Sequence, residues 1–191
     1  MKSKNAIYVC GSGGSGKTTF ASHNFPNHVS INVDNHYENF LVESGLGLKI
    51  DTFNQIQKTK ALEYFEESKI IVNELFFDSV NEGKNLIIDT VGRDLEFILK
   101  QRKYLHNEGY NTYMIMLYAS LETCHNRVSK RNRTYDHQLT KDSWDLSYKN
   151  LVDFATEFGD NFLFINTENM DYEVNKLNNF KNTLKILKNY I

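Results

Sequence analysis

Four glycines, two serines, a lysine and two threonines fill residues 11–19, GSGGSGKTT, directly after the apolar run Ala6-Ile7-Tyr8-Val9-Cys10. Glycines let a backbone curl so that successive N–H groups point at one anion. A helix starting at Lys17 would add its own unsatisfied N–H groups and the positive end of its dipole. Gly11-x-x-x-x-Gly16-Lys17-Thr18 matches the phosphate-loop pattern G-x-x-x-x-G-K-[ST] in full. Gly11, Ser12, Gly13, Gly14, Ser15, Gly16, Lys17, Thr18 and Thr19 are therefore expected to cradle a nucleoside triphosphate, ATP in the simplest case. Lys17 would reach the β- and γ-phosphates, and the Thr18 hydroxyl would help hold Mg²⁺. A flexible Gly/Ser linker has no reason to sit between an apolar strand and a helical run.

A second metal-binding group belongs at the end of a neighbouring strand. Asn85-Leu86-Ile87-Ile88-Asp89 fits, with Asp89 meeting the metal directly or through water. Asp89-Thr90-Val91-Gly92 also spells the D-x-x-G of nucleotide-driven switches. That reading needs a guanine-selecting N-K-x-D after a later strand. Neither Ala119-Ser120-Leu121-Glu122 nor Asn175-Lys176-Leu177-Asn178 supplies it. Motor and transporter ATPases need more chain and further signatures. A small kinase remains.

A kinase must also hold and activate an acceptor. Val33-Asp34-Asn35-His36-Tyr37 places an acid at the end of the second expected strand, beside the phosphate loop. In open parallel sheets ligands bind at these carboxyl ends. A carboxylate there can orient an acceptor hydroxyl and take its proton during phosphoryl transfer. Asp34 could instead only cap a helix over Asn35 to Leu41, since both roles need the same place. Tyr37 and Arg93, the latter four residues past Asp89, are expected on the acceptor side, and His36 at the surface. Arg127, Lys130, Arg131 and Arg133 concentrate four cations in seven residues. Arginine suits the charge spread over a transferring phosphoryl group, so Arg131 and Arg133 are expected to act in catalysis. Arg102 and Lys103 read as ordinary surface charges.

The elements that must position these groups follow from the apolar pattern. Five β-type runs, Ala6–Cys10, Val29–Val33, Leu86–Asp89, Tyr113–Tyr118 and Phe162–Ile165, are solidly apolar, as strands buried on both faces should be. Helical spacing predicts Lys17–Asn24, Gln57–Val80, Leu95–Asn107, Leu121–Lys130, Lys141–Phe158 and Tyr172–Tyr190. The alternation predicts a three-layer αβα fold of the P-loop NTPase type, with a mostly five-stranded parallel sheet and a small helical lid. Glu43 to Ile56 and Asn132 to Gln138 lack periodicity. One kinase domain over residues 1–191 is expected, with a mobile acceptor-side region at about 35–56 and a lid at about 127–140.

Composition narrows the partners. Acids exceed bases by 24 to 22, so no global basic field recruits nucleic acid. Near-neutral charge argues against long duplex contacts, while an extruded or single-stranded nucleotide could fit a local cleft. No apolar stretch is long enough to span a bilayer and no secretory pattern opens the chain, which predicts no membrane partner and a cytoplasmic location. Cys10 and Cys124 make neither a disulfide framework nor a zinc site.

GSGGSGKTT, the VDNHY acid, LIIDTVGR and RVSKRNR together resemble P-loop kinases of the zeta-toxin and phage polynucleotide-kinase type. Glu108 to Ile115, followed by Ser120-Leu121-Glu122, is similar to small phage-encoded proteins of that superfamily, which would place the protein in a host cytoplasm. The resemblance implies that Asp34 is the general base and that the lid arginines Arg131 and Arg133 contact the triphosphate. It also places Arg127 nearer the nucleotide base and Asn166 and Thr167 beside the adenine ring. No phosphatase motifs accompany the kinase motifs, so a bifunctional end-healing enzyme is not expected. The implied activity is ATP-dependent transfer to a hydroxyl of a nucleoside, nucleotide or nucleic acid, at a 5′ end or a hydroxymethylated base. Two alternatives stand beside it: a zeta-toxin-like UDP-sugar kinase, and a nucleotide-binding regulatory NTPase without an acceptor.

Overall fold

A computed structural model describes residues 4–133 and 137–168. Along β1 (Lys4–Cys10), Ala6, Tyr8 and Cys10 turn to one side and Ile7 and Val9 to the other, and all five are buried. A strand apolar on both sides belongs inside a covered sheet. β1 lies between β3 (Leu86–Thr90) and β4 (Tyr110–Tyr118), with β2 (Val29–Ile31) and β5 (Phe162–Asn166) outermost. The order is β2-β3-β1-β4-β5, and every pairing is parallel. On one face Tyr8, Ile88, Met114, Met116 and Phe164 meet α3 (Gln55–Asn81), α4 (Leu95–Asn107) and α7 (Leu151–Phe158). On the other, Val9, Ile87, Ile115 and Leu117 meet Phe20 of α1 (Lys17–Asn24). Each fully buried side chain of this kind contributes about 1.5–3 kcal/mol, so the first face, with Phe76, Phe154, Phe158 and Phe164, supplies most of the cohesion. This is the five-stranded parallel α/β fold of P-loop NTPases. Among the described residues no helix is long and apolar enough to cross a membrane.

The elements depart from expectation in places that bear on the site. β2 ends at Ile31, because Asn32 becomes the N-cap of α2 (Val33–Glu43) and accepts the Asp34 N–H at 2.8 Å. Asp34 thus lies in the first turn of the helix rather than at the end of a strand, and it is not the cap. The predicted helix over Lys141–Phe158 is two helices, α6 (His137–Lys149) and α7. They part at Asn150, whose side chain donates to Gly92 O at 3.3 Å and Arg93 O at 3.0 Å. Arg102 is no ordinary surface charge. It donates to Thr112 Oγ1 at 3.2 Å and lies 4.5 Å from the Phe158 ring centroid.

The aperiodic 43–56 stretch packs with α2 and α3 into a small apolar cluster. Leu41, Phe53 and Ala61 are buried there, with Tyr37, Leu46, Leu48, Ile50 and Tyr64 against them. A capping box between Asn54 and Gln57 starts α3 two residues earlier than its apolar spacing predicts. The last predicted helix, Tyr172–Tyr190, lies outside the described residues, as do positions 134–136 of the expected lid.

Candidate active site

The phosphate loop leaves β1 in the centre of the sheet, squeezed between β4 and α5 (Leu121–Ser129). Gly11 has φ 141°, and a Cβ there would stand 2.4 Å from Leu117 O. Gly14 has φ 85°, and its Cβ would stand 2.5 Å from Cys124 O. Both positions therefore exclude any other residue. Gly16 is the N-cap of α1 and offers no side chain, and the first turn of α1 holds no acid. The first N–H groups of α1 are left for an anion. Lys17 folds back across the loop, its Nζ donating to Gly11 O at 2.9 Å and Ser12 O at 3.0 Å, and 3.9 Å from Asp89 Oδ1. Ser12 is buried with its Oγ 3.2 Å from Cys124 Sγ, and the Gly13 N–H donates to Ser143 Oγ of α6 at 3.3 Å.

Two predicted nucleotide contacts, Thr167 and Arg127, brace this loop from behind. The buried Thr167 shares its hydroxyl proton between Ser15 O at 2.8 Å and Tyr118 O at 2.9 Å. Arg127 donates to Gly14 O at 3.2 Å and Thr167 O at 2.6 Å. Asn166 accepts the Glu168 N–H at 2.9 Å. Glu168 carries the arrangement further. Its carboxylate accepts from Ser120 N and Ser120 Oγ, each at 2.7 Å, and from Thr123 Oγ1, which ties the end of β5 to the start of α5. Burial works to raise the Glu168 carboxyl, but the Thr123 and Ser120 hydrogen bonds outweigh it and hold the group below its ordinary value. Sequence reasoning passed over Glu168. Only the Ser120 N-cap left a local signal.

Asp89 pairs in register with Val9, two residues before the loop begins. Its Oδ2 accepts from Asn32 Nδ2 at 3.0 Å and Thr18 Oγ1 at 3.3 Å. Burial pushes this carboxyl above its ordinary value; Lys17 pulls it back, and the charge on Asp34 pushes it up again. Asn32, which sequence reasoning also missed, therefore both caps α2 and aims Asp89. Among the described residues no three His, Cys, Asp or Glu side chains form a metal-binding cluster. One hydroxyl and one carboxylate, both oxygen donors, suit a magnesium ion that arrives with phosphates and keeps several waters.

Facing this group, Arg133 closes on the first turn of α2. Its Nη1 lies 3.1 Å from Asp34 Oδ1 and its Nη2 3.1 Å from Asp34 Oδ2, with Glu38 Oε1 3.1 Å from Nη1. The Arg133 side chain is 4 % exposed and that of Asp34 56 %. Tyr37 stands beside the pair, its ring centroid 5.9 Å from the guanidinium and its edge against Phe65. A cleft of about 480 Å³ runs among Thr18, Asn32, Asp34, Glu38, Arg131 and Arg133. The structure thus gathers Thr18, Asp34, Arg131 and Arg133 around one opening, with Lys17 and Asp89 adjoining. Arg93 is exposed and does not line that opening.

Known proteins share this architecture at low sequence identity. The AvrRxo1-ORF1:AvrRxo1-ORF2 complex, solved with sulphate ions, aligns with a TM-score of 0.66 and 15% identity over 86% of this chain and 55% of that one. The same pair has been solved with ATP. The PezAT chromosomal toxin–antitoxin system of Streptococcus pneumoniae aligns with a TM-score of 0.57 and 18% identity over 88% and 70%. The Pnkp1/Rnl/Hen1 RNA repair complex aligns with a TM-score of 0.55 and 14% identity over 81% and 47%. At such identities the likeness is one of fold, and this chain spans about half the length of the AvrRxo1 chain. No curated protein matches the chain. A family model described as an AAA domain, AAA_33, matches residues 7–151, from β1 through the phosphate loop, Asp34, Asp89 and the arginines to the start of α7. The chain belongs to this AAA-domain family and carries its nucleotide-binding P-loop.

Proposed function

We propose that the protein is an ATP-dependent kinase that transfers the γ-phosphate to a hydroxyl of a nucleoside, a nucleotide or a nucleic acid, at a 5′ end or a hydroxymethylated base. The observation that carries this reading is the single cleft shared by Thr18, at the head of α1, and Asp34, in the first turn of α2. A kinase needs a carboxylate beside the triphosphate to orient its acceptor hydroxyl, and Asp34 stands on the open side of that cleft.

The loop amides and Lys17 bind the phosphates. Thr18 and Asp89 would hold Mg²⁺, which when bound neutralises charge on the β- and γ-phosphate oxygens. Asp34 orients the acceptor hydroxyl and takes its proton while the new oxygen–phosphorus bond forms. The bond to the bridging oxygen breaks, and ADP leaves with that electron pair. Arg131 and Arg133 stabilise the charge on the moving phosphoryl group. Residues 1–191 then act as one kinase unit, with an acceptor side over residues 35–56 and a lid over residues 127–140.

The reading is tested with γ-labelled ATP and Mg²⁺ over a panel of nucleosides, nucleotides, oligonucleotides with free 5′ ends, hydroxymethylated DNA and UDP-sugars. Label is expected in a nucleoside, a nucleotide or a nucleic acid. Label only in a UDP-sugar, or ATP turnover that no acceptor accelerates, overturns it.

A further inference from the structure

We propose that the cavity between α3 and α4 receives the base of the acceptor and that Gln101 reads its edge. This rests on the kinase reading and specifies its substrate: a hydroxyl carried by a nucleoside or a terminal nucleotide whose base is buried beside the site.

The cavity is the larger one next to the catalytic groups, about 620 Å³, within the range of small-molecule sites. Asp89 and Thr90, at the carboxyl end of β3, stand on its lining. Val33 stands on its lining and Asp34 on that of the catalytic cleft, so the first turn of α2 divides the two spaces. α4 runs back down the sheet from Leu95 to Gln101, a descent of about 9 Å at the helical rise per residue. A nucleoside spans a similar distance from its 5′ hydroxyl to the far edge of its base. A molecule seated here can therefore keep a hydroxyl at the rim while its ring reaches Gln101.

The lining selects for an uncharged ring. Ile31, Val72, Phe76, Ile88 and Ile98 form apolar walls. Lys69 is the one cation on the lining among the described residues; it pairs with Glu66 and lies 5.6 Å from the Phe65 ring centroid. Glu74 adds a negative charge. A phosphate inside would meet only the already paired Lys69, whereas the neighbouring cleft holds Lys130, Arg131 and Arg133. On the same lining Ile70 and Phe97 are 61% and 60% exposed, apolar surface that a bound nucleoside would cover.

Gln101 supplies the recognition. Its Oε1 is shut from solvent without a hydrogen-bond partner, so meeting a base requires the carboxamide to turn toward the cavity that Gln101 lines. An unsatisfied buried carbonyl is costly, and no hydrogen bond from the protein fixes the rotation of this carboxamide. A carboxamide offers one acceptor and two donors on adjacent atoms, the complement of a base edge. Asn73 and Thr90 offer further polar contacts on the same lining.

The test reads the Gln101 side-chain amide by ¹H–¹⁵N NMR, assigned by its loss in Gln101→Leu, in the full chain without ATP. Adenosine, guanosine, cytidine, uridine and ribose are titrated in turn. At least one nucleoside is expected to shift the amide while ribose does not. Gln101→Leu, shown by thermal melting to be folded, is expected to weaken that nucleoside about tenfold, the equivalent of one hydrogen bond to a neutral partner. Gln101→Glu, which keeps the acceptor and loses the donors, is expected to favour bases with an exocyclic amine. No shift with any nucleoside, an equal shift with ribose, or unchanged affinity in Gln101→Leu overturns the pocket. The readout needs neither ATP nor turnover, so nucleoside binding without phosphate transfer would overturn the kinase reading and leave the pocket standing.

Discussion

Arg133 grips Asp34 with both terminal nitrogens, Nη1 to Oδ1 and Nη2 to Oδ2, each at 3.1 Å. The two partners are not equally placed, since the guanidinium is almost enclosed and the carboxylate is more than half exposed. The fork fixes the carboxylate plane, which a point charge cannot do. It also joins residues 99 positions apart, the start of α2 and the arginine segment after α5.

Arg133→Ala should therefore separate stability from activity. The carboxylates left behind, Asp34 and Glu38, can be solvated, so the loss of folding free energy should be modest, about 1–2 kcal/mol. Turnover should fall about a hundredfold, and Arg133→Lys should recover little of it. Denaturant unfolding and a transfer assay check the two halves. A large stability loss with normal turnover would make Arg133 purely structural.

Two adjacent glycines should behave differently. A Cβ on Gly13 meets nothing nearer than Val128 at 4.0 Å, whereas one on Gly14 would strike the Cys124 backbone at a residue with positive φ. Gly14→Ala should destabilise by about 1–3 kcal/mol, and Gly13→Ala should stay within about 0.5 kcal/mol of the parent. Paired thermal melts decide it.

Asp89 and Glu168 should show opposite pH dependence. The Asp89 carboxyl is raised in the folded protein, so the native state binds protons more tightly than the unfolded chain and stability falls as pH rises above the ordinary carboxylate value. Asp89→Asn should then gain on the parent as pH moves from about 4 to neutrality, even as transfer is lost. Glu168 is lowered, so its contribution is present above the ordinary carboxylate value and disappears as pH falls through the folded value. Glu168→Gln should cost about 1–2 kcal/mol at neutral pH and almost nothing at about pH 3. Melting curves across that range give both signs.

The parts of this molecule legible in the sequence are those written in local spacing. The glycine–lysine–threonine pattern marked the loop, and runs such as Ala6–Cys10 marked strands apolar on both sides. What stayed hidden depends on through-space pairing. Asn32 reaches Asp89 across 57 positions, and Glu168 reaches Ser120 across 48. Neither leaves a periodic trace. Val33 reads as strand because it is β-branched and apolar, but an Asn one position earlier can cap a helix and takes it over. The joint at Asn150 escaped for a related reason: its amide binds backbone carbonyls in the loop after β3, which no helical pattern encodes.

The central claim is that a triphosphate held by the loop faces a carboxylate serving the acceptor. Acceptor-dependent transfer by Asp34→Asn, measured beside Mg·ATP binding by calorimetry, tests it most directly. The account predicts that transfer falls by about two orders of magnitude or more while the ATP affinity stays within about threefold. Undiminished transfer in Asp34→Asn would contradict it.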